Sequence, residues 1–165
     1  MFDDLEELYQ QVILDHSRRP RNYGELVAKE AGDLPVVHVH GDNPSCGDEI
    51  DVFVQFDAEG RVADLKFTGQ GCAISQASAS LMTLKAKGRS QTELEELLKA
   101  FHALLSHKDA EPAEMLGDVQ VLQGVWKFPQ RVKCATLAWR ALEQAAAKKE
   151  DQITSTENES HTPHS

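Results

Sequence analysis

The sequence predicts an α+β domain: a three-stranded antiparallel sheet with helices packed on one of its faces. Two observations predict the sheet. Residues 36–68 hold three short runs rich in Val and Phe, and short clusters of turn formers separate them. In one of those runs Ile50, Val52, Val54 and Phe56 recur at every second position, the period of a half-buried strand. The helices follow from a third observation, the three- and four-residue apolar spacing on either side of that region. A chain of 165 residues is the size of one ordinary domain and can bury its own core.

Residues 4–16 read as an amphipathic helix, with Leu5, Leu8, Val12 and Ile13 on one face and Asp3 and Glu6 at its start. The run Arg19-Pro20-Arg21-Asn22-Tyr23-Gly24 ends it. Val36 to His40 is a β-branched run closed by Gly41-Asp42-Asn43-Pro44. Ile50, Val52, Val54 and Phe56 then alternate with Asp51, Phe53 and Gln55, and Asp57-Ala58-Glu59-Gly60 forms a hairpin loop. Arg61 to Phe67 returns, with Ala63, Leu65 and Phe67 expected on the core face.

Three helices are predicted after the sheet. In 73–87, Ile74, Ala77, Leu81 and Leu84 form a stripe that Gly88 stops. In 91–106 the stripe is Leu94, Leu97, Leu98, Phe101, Leu104 and Leu105, with Ser90 and Glu93 as a capping box. In 129–149 it is Val132, Ala135, Trp139, Leu142 and Ala146, with Pro129 in the first turn. Residues 107–127 have weak periodicity, punctuated by Asp109, Pro112, Gly117 and Gly124, and read as a functional or flexible connection. The domain is therefore assigned to residues 1–149. Residues 150–165, polar apart from Ile153, read as a disordered acidic tail.

The net charge of −10 argues against a nucleic-acid partner, because phosphate binding needs clustered Lys and Arg. The one basic cluster, Arg18, Arg19 and Arg21, reads as a solvated turn. No membrane span and no leader segment are evident, so a cytoplasmic location is expected. Thiols stay reduced there, and a cysteine cluster reads as metal-binding or reactive rather than as a disulfide framework.

The three cysteines, Cys46, Cys72 and Cys134, all fall at predicted turns or element ends. Cys72 follows Gly69-Gln70-Gly71 and precedes a helix, where free N–H groups and the dipole favour a thiolate. A small residue filling a tight turn would look the same. Cys46 and Asp48 lie two apart in a turn-rich loop and can face one point, although taken alone the pair reads first as a turn that Asp48 caps through its own backbone. Cys134 sits about five residues into the last helix with Arg131 and Lys133 beside it, and could also be a core residue. His38 and His40 point to one side of a strand, an arrangement commoner on an exposed sheet face than in a metal site. His16 is expected to pack at its helix end. Together the three thiols and Asp48 could close a tetrahedral site with three sulfur ligands and one oxygen ligand. Their spacing matches no finger-like cysteine pair, so local context has to decide.

Those contexts resemble a known family. Asn43-Pro44-Ser45-Cys46-Gly47-Asp48, Gly69-Gln70-Gly71-Cys72-Ala73-Ile74-Ser75-Gln76-Ala77-Ser78-Ala79-Ser80 and Arg131-Val132-Lys133-Cys134-Ala135-Thr136-Leu137-Ala138-Trp139 resemble the three cysteine motifs of the iron–sulfur cluster assembly scaffolds, the IscU/NifU N-terminal-like proteins. Val12-Ile13-Leu14-Asp15-His16 through Pro20-Arg21-Asn22 is similar to their N-terminal helix. The likeness runs over roughly residues 5–145 and implies a SufE/NifU-like fold. The general scaffold type carries a histidine where this chain has Lys133, and it lacks the stretch from Asp118 to Phe128. Both departures resemble the SufU-type branch.

That branch implies zinc held by Cys46, Asp48, Cys72 and Cys134. It also implies that Cys46 accepts sulfane sulfur from a partner cysteine desulfurase, a pyridoxal-phosphate enzyme, with Arg131 as an assisting residue. Downstream iron–sulfur assembly proteins would receive the sulfur, and the chain would act with its desulfurase rather than as a stand-alone enzyme. The alternative implied by the wider family is a scaffold that binds iron and builds a transient [2Fe–2S] cluster. A purely structural zinc module is the third possibility. Lys133 is charged at neutral pH and cannot ligate in that state, which weighs against the iron-scaffold role.

Overall fold

The computed structural model describes residues 4–27, 34–44, 47–106 and 114–154. Helix α1 (Asp4–Arg18) leads into strands β1 (Val36–Asn43), β2 (Asp48–Phe56) and β3 (Val62–Gln70). Helices α2 (Ala73–Ala86) and α3 (Gln91–Leu104) follow, then a 3₁₀ segment (Glu114–Lys127), and α4 (Pro129–Thr154) closes the described chain. The sheet is an antiparallel meander in the order β1-β2-β3, as the sequence predicts.

One face of the sheet carries the core. Val37 and Val39 of β1, Ile50, Val52, Val54 and Phe56 of β2, and Val62, Leu65 and Phe67 of β3 are all buried. Helix α4 packs across β1 and β2, α2 packs on β3, and α1 lies along α2. Trp139 of α4 stacks on Phe101 of α3 with ring centroids 3.9 Å apart. Among the described residues no helix is long and apolar enough to cross a membrane.

Several expectations need correction. Ala63 is exposed and Val62 occupies the core, because the β2–β3 register shifts between Gln55 and Phe56 and turns the start of β3 over. The stripe predicted for α2 is only part of what that helix buries. Ser75, Ser78, Ser80 and Thr83 are buried as well, while Leu84 is 50% exposed. This helix is enclosed by α1, α4 and the sheet, so a single apolar face does not describe it.

The connection after α3 is more structured than expected. Glu114–Lys127 wind as 3₁₀ turns broken at Gly117 (φ 49°, ψ −126°), and Leu116, Val119, Leu122 and Val125 are buried from it. Their spacing of three matches the three residues per turn of this helix type. Helix α4 continues to Thr154, so residues 150–154, assigned to the tail, are helical. The rest of that tail, residues 155–165, lies outside the described residues, as do residues 107–113 of the connection.

Helix α3 follows its prediction closely. Ser90 Oγ accepts from the Glu93 N–H at 3.2 Å, and Glu93 Oε1 accepts from the Ser90 N–H at 2.9 Å. The α1 side chains Val12 and Ile13 pack against the core, whereas the side chains of Leu5 and Leu8 lie outside the described set.

Candidate metal centre

The ends of β1, β2 and β3 converge on the N-terminus of α2 and the first turns of α4. Asn43 and Asp48 are register partners at the open end of the first hairpin, and the Gly47 N–H donates to Asn43 O at 2.9 Å. This closes the connection whose sequence contains Ser45 and Cys46, two residues that lie outside the described set. Asp48 opens β2 with its side chain turned inward, 1% exposed.

Cys72 is the N-cap residue of α2. Its N–H donates to Asp48 Oδ1 at 2.9 Å, and its Sγ lies 3.7 Å from Asp48 Oδ2. One carboxylate oxygen therefore satisfies an orphan amide at the helix start, and the other is left beside the thiol. Ser75 Oγ donates to Cys72 O at 3.1 Å and steadies the same turn. Cys134 is buried in the second turn of α4. Ligand atoms of Asp48, Cys72 and Cys134 all lie within 4.8 Å of one another.

Gly71 also belongs to this site. A Cβ there would overlap the Asp48 carboxylate and come within 2.9 Å of Ser75 Oγ. The glycine before the cysteine thus makes room for Asp48 to reach the helix end. Gly69 has a separate reason, since a side chain there would overlap the Glu49 carbonyl across the ladder. The Gly69-Gln70-Gly71 pattern was visible in the sequence, but which carboxylate it accommodates was not.

The other predicted residues divide clearly. Arg131 is exposed in the first turn of α4, one turn before Cys134, and among the described residues its guanidinium makes no ion pair. Lys133 is also exposed, so it points away from the buried thiol beside it in sequence. His38 and His40 lie on the solvent face of the sheet, apart from the cysteines.

His16 is 5% exposed, with its Nδ1 2.7 Å from Ser80 Oγ. Burial lowers its pKa, and Arg21 nearby adds to the effect. The Arg21 N–H also donates to Ser80 Oγ, and Asn22 Nδ2 donates to Thr83 Oγ1 at 2.9 Å, so the end of α1 is fastened to α2. The basic turn is solvated as expected, with Arg21 paired to Asp15 at 2.7 Å.

The donor set suits a metal. Two sulfur donors and one carboxylate from three separate elements form a set that zinc accepts readily, and Cys46 is two residues from Asp48 in the chain.

Comparison with known proteins agrees with the motifs. The family model for the NifU-like N-terminal domain matches residues 8–135. The chain is 45% identical over 147 residues to the zinc-dependent sulfurtransferase SufU of Bacillus subtilis, covering 89% of this chain and 95% of that protein. It is 43% identical over 141 residues to the iron–sulfur cluster assembly scaffold protein IscU of Streptococcus pyogenes, covering 86% and 84%. A solved protein of Fervidobacterium islandicum AW-1, described as an iron–sulfur cluster assembly scaffold for the SUF system, superposes with a TM-score of 0.70 at 31% identity, covering 86% of this chain and 98% of that one. Motifs, fold and relatives agree: the chain belongs to the NifU-like N-terminal domain family.

Proposed function

We propose that this protein serves iron–sulfur cluster biogenesis as a zinc-binding acceptor of sulfane sulfur, supplied by a partner cysteine desulfurase. The convergence of Asp48, Cys72 and Cys134 within 4.8 Å is the observation that carries this reading. Cys46, Asp48, Cys72 and Cys134 would hold the zinc. Bound zinc would keep the thiols deprotonated at neutral pH and gather them in one place.

The chain's own groups account for the rest. Cys46 is the acceptor. Its thiolate attacks the outer sulfur of the desulfurase persulfide, a new S–S bond forms at Cys46 Sγ, and the partner cysteine leaves as a thiolate. Asp48 is anchored by the Cys72 amide through Oδ1, so it stays at the site while Cys46 reacts. The exposed Arg131 stands one turn from Cys134, where it can meet the anionic leaving thiolate or the partner's surface. Downstream assembly proteins then take the sulfur from Cys46.

The test is elemental analysis of the purified protein alongside a desulfurase assay. One zinc per chain and strong stimulation of the desulfurase are expected, with stimulation lost in Cys46→Ala. Undiminished stimulation by Cys46→Ala would overturn the acceptor role. If chelation unfolds the chain and no desulfurase responds to it, the metal is structural. The likeness to streptococcal IscU supports a second reading, in which the same four residues carry a [2Fe–2S] cluster as cargo. Anaerobic reconstitution separates the two, because only a scaffold would keep its cluster through gel filtration.

A further inference from the structure

We infer that Tyr23 is a positioning residue for the cysteine-centred site: its phenol clamps the Gly69-Gln70-Gly71 strap and so sets where Cys72 stands against Asp48. Tyr23 acts through Cys72 and is not itself a ligand, so its functional meaning rests on the zinc-binding reading proposed above. Strand β3 is at the edge of the sheet. Its outer side meets residues 22–24, where Tyr23 and Phe67 form an isolated parallel bridge. The Phe67 N–H donates to Asn22 O at 3.1 Å, and the Gly24 N–H donates to Phe67 O at 2.8 Å. Among the described residues this backbone pairing ends at Gly24. Gly69 is the next residue of β3 whose N–H and C=O face that side. There the Tyr23 side chain takes over. Its OH donates to Gly69 O at 3.1 Å, and the Gly69 N–H reaches the same oxygen in a longer contact of 3.4 Å. One hydroxyl can serve both, because it donates once and also accepts.

The strap needs such a clamp. Gly69 and Gly71 are free of side chains because the Glu49 carbonyl and the Asp48 carboxylate come too close. The same glycines leave the strap without side-chain packing at two of its three positions, which makes it intrinsically loose. Cys72 follows directly, and its N–H holds Asp48 Oδ1 at 2.9 Å. Any slip of the strap therefore moves this N–H and the thiol together. Strand β2 holds the strap from one side, through the pairings of Ile50 with Gly69 and Glu49 with Gln70. Tyr23 holds it from the other.

The clamp is itself anchored. The Tyr23 ring stands edge-on to Phe67 with centroids 5.2 Å apart, which fixes the direction of the hydroxyl. Asn22 takes a left-handed backbone conformation (φ 58°), and its Nδ2 donates to Thr83 Oγ1 at 2.9 Å. Asn tolerates that conformation better than most residues. Backbone of this kind persists where its surroundings hold it, and it gathers at functional sites. The segment that carries the phenol is thus fastened to α2 as well as to β3. Tyr23 is 48% exposed, so removing its hydroxyl opens no cavity in the core.

The test sets Tyr23→Phe beside Gln91→Ala in the full chain. Gln91 Nε2 donates to the Gly60 carbonyl at 2.6 Å, a comparable side-chain clamp at the opposite end of the β2–β3 pair. Both variants lose one bond to a backbone carbonyl, and only Tyr23→Phe loses it beside Cys72. In competition with a zinc chelator, Tyr23→Phe should hold zinc about 10-fold more weakly, as for groups that orient ligands, and Gln91→Ala should match wild type. In metal-free protein the Cys72 amide proton resonance should move upfield in Tyr23→Phe, as its bond to Asp48 lengthens, and stay in place in Gln91→Ala. A Cys72 amide that does not move in Tyr23→Phe would overturn the clamp. Equal weakening of zinc by both variants would do the same, because the effect would then be general loosening. The two readings fail separately. If wild-type protein binds no zinc, the zinc reading fails and the metal-free Cys72 amide alone decides the clamp. If zinc is bound and Tyr23→Phe behaves as wild type, only the clamp fails.

Discussion

Asp48 and Cys72 are bound to each other twice over. The Cys72 N–H donates to Asp48 Oδ1 at 2.9 Å, and the Cys72 sulfur lies 3.7 Å from Asp48 Oδ2. Asp48 is thus the cap of α2 and, on the proposed reading, also a donor to the zinc. The two roles can be separated by substitution. Asn keeps an oxygen that can accept from Cys72 but loses the charge, whereas Ala loses both. In metal-free protein, Asp48→Ala should be less stable than Asp48→Asn by about 1–2 kcal/mol, the cost of a missing cap acceptor. Both should bind zinc more weakly than wild type. Urea unfolding and chelator competition measure the two effects, and equal stability of the two variants would refute the capping role.

Gly71 should be nearly as sensitive as a ligand, although it offers no donor. Its substitution by Ala drives a methyl group into the Asp48 carboxylate. The carboxylate must then leave the α2 terminus, and zinc affinity should fall by roughly 10–100-fold, as for other residues that orient ligands. Gly47→Ala is a useful contrast, since the space around a Cβ at Gly47 is open and only its positive φ of 76° resists the change. Competition with a zinc chelator should rank Gly71→Ala well below Gly47→Ala.

These two residues also mark how far the sequence could be read. The strands, helix α3 and its capping box were legible because alternation, three-and-four spacing and the Ser90–Glu93 pair each have one local meaning. Cys72, Cys134 and Asp48 were legible as a group only through their neighbours, because tertiary packing brings them together across 87 positions of chain. Hydrophobic periodicity cannot report Ser78 or Ser80, whose burial depends on partners in α1 and α4. The 3₁₀ segment was available to a stricter reading: Leu116, Val119, Leu122 and Val125 recur every three residues, a period that a search for helical and strand spacing passes over. Val62 replaced Ala63 in the core through a shift in pairing that no local pattern announces.

Stability should fall on mild acidification, and His16 gives the reason. Burial holds the folded-state pKa of His16 below its ordinary value of 6.5. The unfolded chain therefore takes up a proton at a higher pH than the folded chain does. Below the unfolded pKa, protonation favours the unfolded state, and stability declines until pH reaches the folded pKa, where the loss levels off. Above about pH 7 the effect is absent. Urea midpoints of metal-free protein between pH 7.5 and roughly 5 should show this decline, and His16→Gln should flatten it. An unchanged slope in His16→Gln would assign the effect elsewhere. The paired carboxylates Asp15 and Glu93, whose pKa values are lowered by hydrogen bonds from Arg21 and Ser90, act in a separate and more acidic window.

Cys134 is held near Cys72 by the register of α4 on α2. Trp139 Nε1 donates to Ser78 Oγ at 2.9 Å, and Ser78 Oγ donates in turn to the carbonyl of Ala135, the residue after Cys134. This chain of bonds fixes the sliding position of α4 on α2, the two helices that carry the thiols. Ser78→Ala leaves a buried indole N–H without its acceptor and should cost about 1–3 kcal/mol. Trp139→Phe removes that donor but also leaves space against Phe101, with a cost of similar size. In the double variant the indole N–H is no longer stranded, so its loss should be smaller than the sum by about 0.5–3 kcal/mol. Chelator competition completes the test: Ser78→Ala should release zinc faster than wild type, because the helix that carries Cys134 is less firmly registered. Strict additivity in unfolding, together with unchanged zinc release, would show that the bond contributes neither to stability nor to the site.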